Sequence, residues 1–419
     1  MTGTAEHTRP RIRELRLRRF RAFRNARLVL GDFTVVVGRN GSGKTTLMEA
    51  FEFLQDSVTH GVLTALERRG GIGSVVHRPS KTHQGLPDEG QPEMSKWSDY
   101  RAVTPADVEV AIDLRLPVTG VIYGFTVGPS KTRSGFRVKR EILKTYPKES
   151  FSFERTNEKF STQVPGAAPV VSPESLVLPL VADHEAIWRM TADALQRLLV
   201  YDFSPQAMQA EPQIGSQQAL TRNGSNIGDV LRRLDRGDAE MDWILRHLAS
   251  VTRGITRIQA TASAGRRIVE FFQQTGATES RFIASDMSNG TLHSLGVLLA
   301  LRQTPVPSLV YLDEIESSIH TAALSSLMDA AAVTAAERCQ VIVSSHSTDA
   351  LSHPAVTAEN VRIVDWQEDQ SSVFHVGEGA RALLKPPETV GRLLRSNALW
   401  TEDAPTTVAD DLFKVNPGG

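Results

Sequence analysis

The stretch Gly38-Arg39-Asn40-Gly41-Ser42-Gly43-Lys44-Thr45 decides the fold, because it fits the phosphate-loop pattern G-x-x-x-x-G-K-[ST] at every fixed position. Phe33–Val37 before it is a β-branched run typical of a buried strand, and residues 45–54 after it carry apolar side chains on one helical face. Glycines let a loop backbone wrap a phosphate, and a helix N-terminus adds the positive end of its dipole. The pattern predicts a nucleoside triphosphate bound by residues 38–45 and Thr46, with Lys44 on the β- and γ-phosphates and Thr45 on Mg²⁺. The alternative is a glycine-rich turn without a ligand.

Composition restricts the class of protein. A hydrophobic content of 40% and a charged content of 23% are ordinary for a soluble globular chain of one to three domains. Residues 1–13 contain no apolar signal segment, and no apolar run is long enough to cross a membrane. A single cysteine, Cys339, excludes an internal disulfide framework and is expected to be buried. We therefore expect a cytoplasmic protein.

Nine arginines lie between Arg9 and Arg27, in a stretch that partly alternates with leucines as a half-buried strand does. One interpretation is a solvated face that protects a sheet edge. The other is a surface that contacts nucleic-acid phosphates. The net charge of −1 and the pI near 7 favour the first interpretation over a dedicated nucleic-acid domain.

The first part of the chain reads as strands around the phosphate loop. Residues 56–104 are rich in Gly, Ser, His and Pro, and 70–73 and 79–93 are predicted to be loops. An antiparallel group is expected to follow, distinct from the nucleotide-binding strand–helix unit. The predicted strands are Ile12–Phe20, Ala26–Leu30, Phe33–Val37, Val108–Leu116, Val121–Val127, Phe136–Leu143 and Phe151–Glu154.

The later part predicts helices and then alternating strands and helices. Residues 161–175 read as a linker, and 183–200 and 225–251 as a helical insert without a sustained heptad. From Ile255, strands alternate with helices, which implies a parallel sheet. We expect four parts: an N-terminal lobe (1–160), the linker and insert (161–254), a C-terminal lobe (255–400) and a loose tail (401–419).

Three further segments carry candidate chemistry. The apolar run Leu309–Leu312 ends in Asp313 and Glu314, which suit Mg²⁺ binding and the deprotonation of water, respectively. His346 follows the apolar run Val341–Val343 and is a candidate contact to the γ-phosphate. Ser288, with Asn289 and Gly290, opens a helix and suits either anion binding or simple N-capping.

Together these residues resemble the ABC class of ATPases, and more closely the RecF, SMC and OLD-like branch of prokaryotic "AAA family" ATPases. The motif-bearing resemblance covers residues 12–54 and 282–347. In it, Leu15–Phe23 matches the N-terminal strand pair, Ser288-Asn289-Gly290 the signature, Asp313–His320 the acidic motif and His346 the switch histidine. Ile315 stands where many members have Pro, and the glutamine loop is expected near residues 71–77.

The resemblance implies an α/β ABC-type ATPase head with a mixed or parallel core sheet, an antiparallel β-subdomain and a helical insert. It also implies a homodimer or higher oligomer closed around two ATP molecules and Mg²⁺, with Ser288 of one subunit on the γ-phosphate held by Lys44 of the other. Glu314, His346 and Lys44 are then the catalytic residues, and Thr45 and Asp313 hold the metal. The long stretch between Lys44 and Ser288 disfavours a transporter energy subunit.

Relatives of this kind act with a nuclease in the same or another chain. The residues after His346 contain no compact acidic cluster, so we expect any nuclease-like effector to be a separate subunit, with DNA as a possible partner and no membrane. The first hypothesis is an ATPase switch acting in anti-phage defence or DNA maintenance, which is an analogy. The second is a nucleotide-dependent assembly scaffold with little turnover.

Overall fold

The computed structural model describes residues 9–77, 106–131, 135–215, 219–234, 239–367, 369–385, 387–400, 405–408 and 411–415. Within these ranges the chain forms three sheets surrounded by helices. The strands are β1 (Arg11–Phe20), β2 (Phe23–Val29), β3 (Phe33–Val37), β4 (Val108–Arg115), β5 (Gly120–Pro129), β6 (Phe136–Tyr146), β7 (Phe153–Thr156), β8 (Lys159–Thr162), β9 (Leu198–Tyr201), β10 (Ile255–Ser263), β11 (Arg266–Thr275), β12 (Thr278–Ile283), β13 (Leu309–Leu312), β14 (Gln340–Ser345), β15 (Val361–Gln367) and β16 (Gln370–His375).

Helices cover the sheets and connect the parallel strands. The longest ones are α1, which follows β3, α9, which precedes β13, and α10, which joins β13 to β14. The helices are α1 (Lys44–Thr59), α2 (Val62–Glu67), α3 (Ile72–Val75), α4 (Leu178–Val181), α5 (Ala186–Gln196), α6 (Pro205–Gln209), α7 (Ile227–Arg233), α8 (Ala239–Val251), α9 (Asn289–Arg302), α10 (Thr321–Glu337), α11 (Thr348–Leu351), α12 (Glu378–Leu383) and α13 (Val390–Arg395). None of the helices described here is long and apolar enough to span a bilayer.

The central sheet has six strands in the order β16-β15-β3-β14-β13-β9, and all except β16 run parallel. Val37 at the end of β3 lies beside Ser345 of β14, and Leu312 of β13 lies beside Tyr201 of β9. The carboxyl ends of these strands therefore meet at one edge of the sheet, where ligands bind in open α/β sheets.

An antiparallel sheet in the order β2-β1-β4-β5-β6-β7-β8 forms a second layer, and β10-β11-β12 form a small third sheet. Helix α1 lies between the first two layers. The ring of Phe53 is 5.7 Å from that of Phe20 and 5.9 Å from that of Phe125, whereas Phe51 is 6.1 Å from Tyr311 of β13. Burial against both sheets fixes the helix, and with it the phosphate loop at its N-terminus.

The predicted α/β architecture with a parallel core sheet and an antiparallel group is confirmed, but two predictions of secondary structure are wrong. Residues 198–200 were expected in a helix, yet they belong to the edge strand β9. Residues 70–73 were expected in a loop, but Ile72 begins the short helix α3. The predicted loop 79–93 lies outside the described residues. The division into four parts remains a prediction. Strand β9 lies within the expected insert (161–254), but it pairs with β13 and so belongs to the central sheet.

The loose tail is also a wrong prediction for its described residues. Val408, Leu412 and Phe413 are buried with Ala111 and Ile142 in a cluster on the antiparallel sheet. The Thr406 hydroxyl donates to the Arg27 carbonyl at 2.7 Å. These three apolar side chains are spaced irregularly in a polar segment. Their spacing matches neither a helix nor a strand, so the sequence did not indicate this packing.

The arginine-rich strand is mostly paired with acids of the chain itself. Arg16 is 1% exposed, and its guanidinium contacts Glu14 at 2.8 Å and Asp113 at 3.7 Å. Arg19 pairs with Glu109 at 2.8 Å, and Arg21 with Glu49 at 2.6 Å. Arg16 is therefore a buried structural group, which corrects its inclusion in a surface for nucleic-acid phosphates.

Candidate nucleotide site

The phosphate loop leaves β3 at Val37 and enters α1 at Lys44, in a space that only glycine fits. A Cβ atom on Gly38 would collide with the carbonyl oxygen of Val364 in β15. Gly43 has φ of +110°, and a Cβ atom there would lie 2.5 Å from Ser371 Oγ of β16. The β15–β16 hairpin thus presses on both ends of the loop and explains two of the motif's glycines.

Lys44 lies inside the loop with its side chain almost wholly buried. Its Nζ donates to the carbonyl oxygens of Gly38 at 2.7 Å and Arg39 at 3.1 Å. Burial lowers the pKa of Lys44, and the acids 313, 314 and 316 partly oppose that change. The Ser42 hydroxyl is buried and makes no hydrogen bond among the described residues. A cation on backbone carbonyls and an unpaired hydroxyl both fit a phosphate that supplies their missing acceptors.

Asp313 follows β13 and lies beside the first turn of α1. Its Oδ2 accepts a hydrogen bond from Thr45 Oγ1 at 3.3 Å, and its other oxygen accepts one from Ser344 Oγ. Burial raises the pKa of Asp313, whereas these two hydrogen bonds lower it. Among the described residues no group of three His, Cys, Asp or Glu side chains is arranged to hold a metal. A hydroxyl and one carboxylate suit Mg²⁺, which takes its remaining ligands from phosphate and water.

Glu314 occupies a strained turn next to Asp313. Its φ is +46°, and its backbone N–H donates to Ser344 Oγ at 2.9 Å. The side chain is exposed, whereas the next residue, Ile315, is buried. Strain of this kind in a non-glycine residue is common at functional sites, and here it aims the carboxylate away from the core.

His346 follows β14 and pairs with an acid that the sequence analysis did not assign. Its backbone N–H donates to Glu316 Oε1 at 2.8 Å, and its Nδ1 lies 3.1 Å from the same oxygen. The imidazole is about half exposed, with 49% of the side chain accessible. Glu316 therefore orients a histidine whose ring remains free to meet a ligand.

Ser288 lies apart from these groups. Its Oγ accepts from the Thr291 N–H at 3.1 Å and caps α9, and the side chain is exposed. A Cβ atom on Gly290 would lie 2.6 Å from the Ser318 carbonyl oxygen, so the helix start packs against the segment after Glu314. Ser288–Thr291 and Ser318–His320 line a cavity of about 450 Å³. No described contact joins Ser288 to Lys44 or Asp313 in the same chain.

The structure thus brings together Lys44, Thr45, Asp313, Glu314 and His346, and leaves Ser288 on a separate surface. Sequence reasoning missed Ser344, Glu316 and Ser371, although a serine close to the end of a buried strand, as Ser344 is, is a recognisable signal. The segment 71–77 contains no glutamine and is tied to the β1–β2 turn, where Arg21 N–H donates to the Val75 carbonyl at 2.7 Å. A glutamine loop there stays a prediction.

Residues 33–352 match the protein family described as "AAA domain, putative AbiEii toxin, Type IV TA system", which is more than half of the chain. A search of curated proteins finds no match. Among solved structures, an Smc head domain with an extended coiled coil bound to the C-terminal domain of ScpA, derived from Pyrococcus furiosus, is 14% identical, covers 90% of this chain and 98% of that one, and has a TM-score of 0.50. An SmcHead bound to the C-winged helix domain of ScpA is 15% identical over 88% and 98%, with a TM-score of 0.49. At these identities the first structure shows a shared fold.

Proposed function

The chain belongs to this AAA-domain family, and from that premise we propose that it is an ABC-class ATPase of the SMC and RecF-like branch, which binds ATP with Mg²⁺ and hydrolyses it as a dimerising switch. The observation that carries the proposal is the 3.3 Å hydrogen bond between Thr45 Oγ1 and Asp313 Oδ2. It joins the end of the phosphate loop to the acidic strand across 268 positions of sequence. A hydroxyl and a carboxylate in contact are the protein ligands that a nucleotide-bound Mg²⁺ needs.

Each residue of the site has a role in this proposal. Lys44 leaves the carbonyls of Gly38 and Arg39 and turns to the β- and γ-phosphates, while the loop amides hold the phosphate oxygens. Thr45 and Asp313 would hold Mg²⁺, which would supply positive charge to the triphosphate. Glu314 accepts a proton from the attacking water, and His346, oriented by Glu316, contacts the γ-phosphate.

The substitution Glu314→Gln tests the hydrolysis. We expect ATP to bind normally and steady-state phosphate release to fall at least about a hundredfold, because a general base contributes 10²–10⁴-fold. Glu279→Gln is the control, since Glu279 is an exposed acid on β12 that pairs with Arg257 of β10. Wild-type hydrolysis by Glu314→Gln would show that Glu314 is not the base.

The exposure of Ser288 supports a site shared between two chains. In this proposal the signature of one copy meets the γ-phosphate held by Lys44 of the other, as the resemblance implies, and Glu314→Gln accumulates as an ATP-bound dimer. Mixing Lys44→Ala with Ser288→Arg, each inactive alone, should restore part of the activity, because one composite site in the mixed dimer is intact. No recovery in verified mixed dimers would count against the shared site.

The same geometry supports the alternative of a scaffold that assembles on nucleotide with little turnover. It predicts ATP-driven assembly in wild type and in Glu314→Gln alike, with no phosphate release that this substitution abolishes. Size-exclusion chromatography and phosphate release, measured on the same samples, separate the two functions.

For the partner, we propose a separate effector chain, nuclease-like in activity, controlled by the nucleotide state in anti-phage defence or DNA maintenance. The family description "putative AbiEii toxin, Type IV TA system" supports a defence role, and the similar Smc head from Pyrococcus furiosus is bound to the C-terminal domain of ScpA. Purification of the native complex with and without ATP tests this proposal, and co-purified DNA tests the DNA-binding alternative.

A further inference from the structure

The order of the central sheet determines which way a nucleotide must extend from the loop. Glu314 and His346 follow β13 and β14, which lie on one side of β3, whereas the β15–β16 hairpin lies on the other side. In the proposed function, on which this inference rests, the γ-phosphate points toward Glu314 and His346. The nucleoside must then leave the loop in the opposite direction, toward the β15–β16 hairpin.

The β15–β16 hairpin extends past the carboxyl end of its neighbour β3. Ile363 of β15 is in register with Val37, the last residue of β3. Trp366 is three residues further along β15, which corresponds to roughly 10 Å past the start of the phosphate loop. This extension forms a wall beside the loop.

Trp366 lies on the face of that wall that looks toward α1. Its cross-strand partner is Ser371, and side chains directly opposite one another in an antiparallel pair share a face. Ser371 faces Gly43, directly before α1, as the 2.5 Å approach to a Cβ atom there shows. Val364 and Val373, the next pair on the same face, are buried in the core that contains α1.

Two features of this face call for a ligand. Trp366 is 48% exposed, although large aromatic side chains usually gain stability from burial. Ser371 is fully buried, yet its hydroxyl makes no hydrogen bond among the described residues. Its backbone is fixed, because the Ser371 N–H donates to the Ala22 carbonyl at 2.8 Å. A rigid strand thus holds an exposed ring and an unpaired hydroxyl beside the end of the loop.

We propose that Trp366 is the stacking surface for the base of the bound nucleotide, with Ser371 offering a hydroxyl to the sugar–phosphate part. Every base has a π-face, so stacking on one ring contributes affinity with little preference among bases. Trp366 then sets how much more tightly a nucleotide binds than its bare triphosphate.

Isothermal titration calorimetry tests this proposal on the full chain carrying Glu314→Gln, with Mg²⁺ and either ATP or inorganic tripolyphosphate. We expect Trp366→Ala to raise the Kd for ATP about tenfold and to leave the Kd for tripolyphosphate unchanged. Trp366→Phe, which keeps an aromatic face, should bind ATP within about threefold of its parent. Phe151→Ala is the matched control, an exposed aromatic residue on the loop before β7, and should change neither value.

Unchanged ATP binding by Trp366→Ala, as expected if Trp366 serves a protein contact instead, would overturn the stacking role alone, and so would equal weakening of both ligands. Equal affinity of the parent protein for ATP and tripolyphosphate would also overturn it while leaving the phosphate site intact. A parent protein that binds neither ligand would overturn the proposed function together with this inference.

Discussion

The antiparallel sheet and the central sheet both bury charged groups, but they satisfy them differently. In the antiparallel sheet, the carboxylate of Glu141 accepts hydrogen bonds from the N–H groups of Val177 at 2.5 Å and Leu178 at 2.9 Å, and from Tyr123 OH at 3.0 Å. At the edge of the central sheet, Lys44 contacts only neutral carbonyls, and the hydroxyls of Ser42 and Ser371 have no partner among the described residues.

This difference separates structural polar groups from groups that await a ligand. A buried polar group costs free energy unless it is hydrogen-bonded, so a group with all its partners inside the chain stabilises the fold. Incomplete pairing persists where another molecule completes it. The comparison therefore predicts that substitutions in the antiparallel sheet reduce stability, whereas those at the central sheet edge reduce binding and turnover.

The largest effect is expected for Glu141→Ala. It leaves three buried donors without an acceptor, so the free energy of unfolding should fall by about 3–5 kcal/mol, as measured by urea denaturation. Glu154→Ala on neighbouring β7 is the control, because Glu154 is partly exposed and pairs with Arg140 at 2.9 Å, and it should cost less than about 1 kcal/mol. If Glu141→Ala reduced the free energy of unfolding only slightly, the structural role assigned to the buried charged groups of the antiparallel sheet would be wrong.

Lys44→Ala is expected to leave the free energy of unfolding almost unchanged and to weaken ATP binding at least about hundredfold, because charge-assisted hydrogen bonds to phosphate are lost. Lys139→Ala is the matched control in the antiparallel sheet, where Lys139 pairs with Asp107 at 2.7 Å. Calorimetric titration with ATP measures both variants. Normal ATP binding by Lys44→Ala would contradict the assignment of the loop.

Ser344→Ala is expected to have the smallest effect, a fall of about tenfold in hydrolysis at neutral pH. Asp313 must be ionised to hold Mg²⁺, so activity is lost as pH falls through its pKa, which burial raises. Ser344 donates to the ionised form and lowers that pKa. Its removal should therefore move the acid limb of the pH–rate profile to higher pH.

Ser308→Ala controls for this change, because Ser308 precedes β13 at the opposite end of the strand and bonds the Ala194 carbonyl. Its pH–rate profile should match that of wild type. An acid limb that Ser344→Ala does not move would indicate that another group governs the low-pH loss.

The sequence was sufficient for the parts of the site that depend on local pattern and sheet topology. The loop 38–45 fits a motif, and Asp313 and His346 each end an apolar run, so a parallel sheet brings them to one edge. Edge strand β9 was missed because Leu198 continues the helical spacing of Leu195 in α5.

Contacts that depend on tertiary packing had no sequence signal. Ser371 matters because β16 approaches Gly43, a pairing of residues 328 positions apart that no periodicity encodes. Likewise, an arginine-rich strand has the same sequence pattern whether its arginines face water or pair with acids of the same chain. The residues on the neighbouring strand determine which of the two occurs. For Arg16 that neighbour is β4, which supplies Asp113.

The packing of residues 411–415 on β1 has a consequence for biosynthesis. Arg16 in β1 donates to the carbonyls of Leu412 at 3.0 Å and Lys414 at 2.7 Å. A ribosome makes β1 396 residues before the Leu412 carbonyl, so the antiparallel sheet waits for these partners while that stretch is synthesised. Until then a guanidinium and an apolar face stay uncovered, and the nascent chain depends on chaperones or on rapid completion to avoid aggregation.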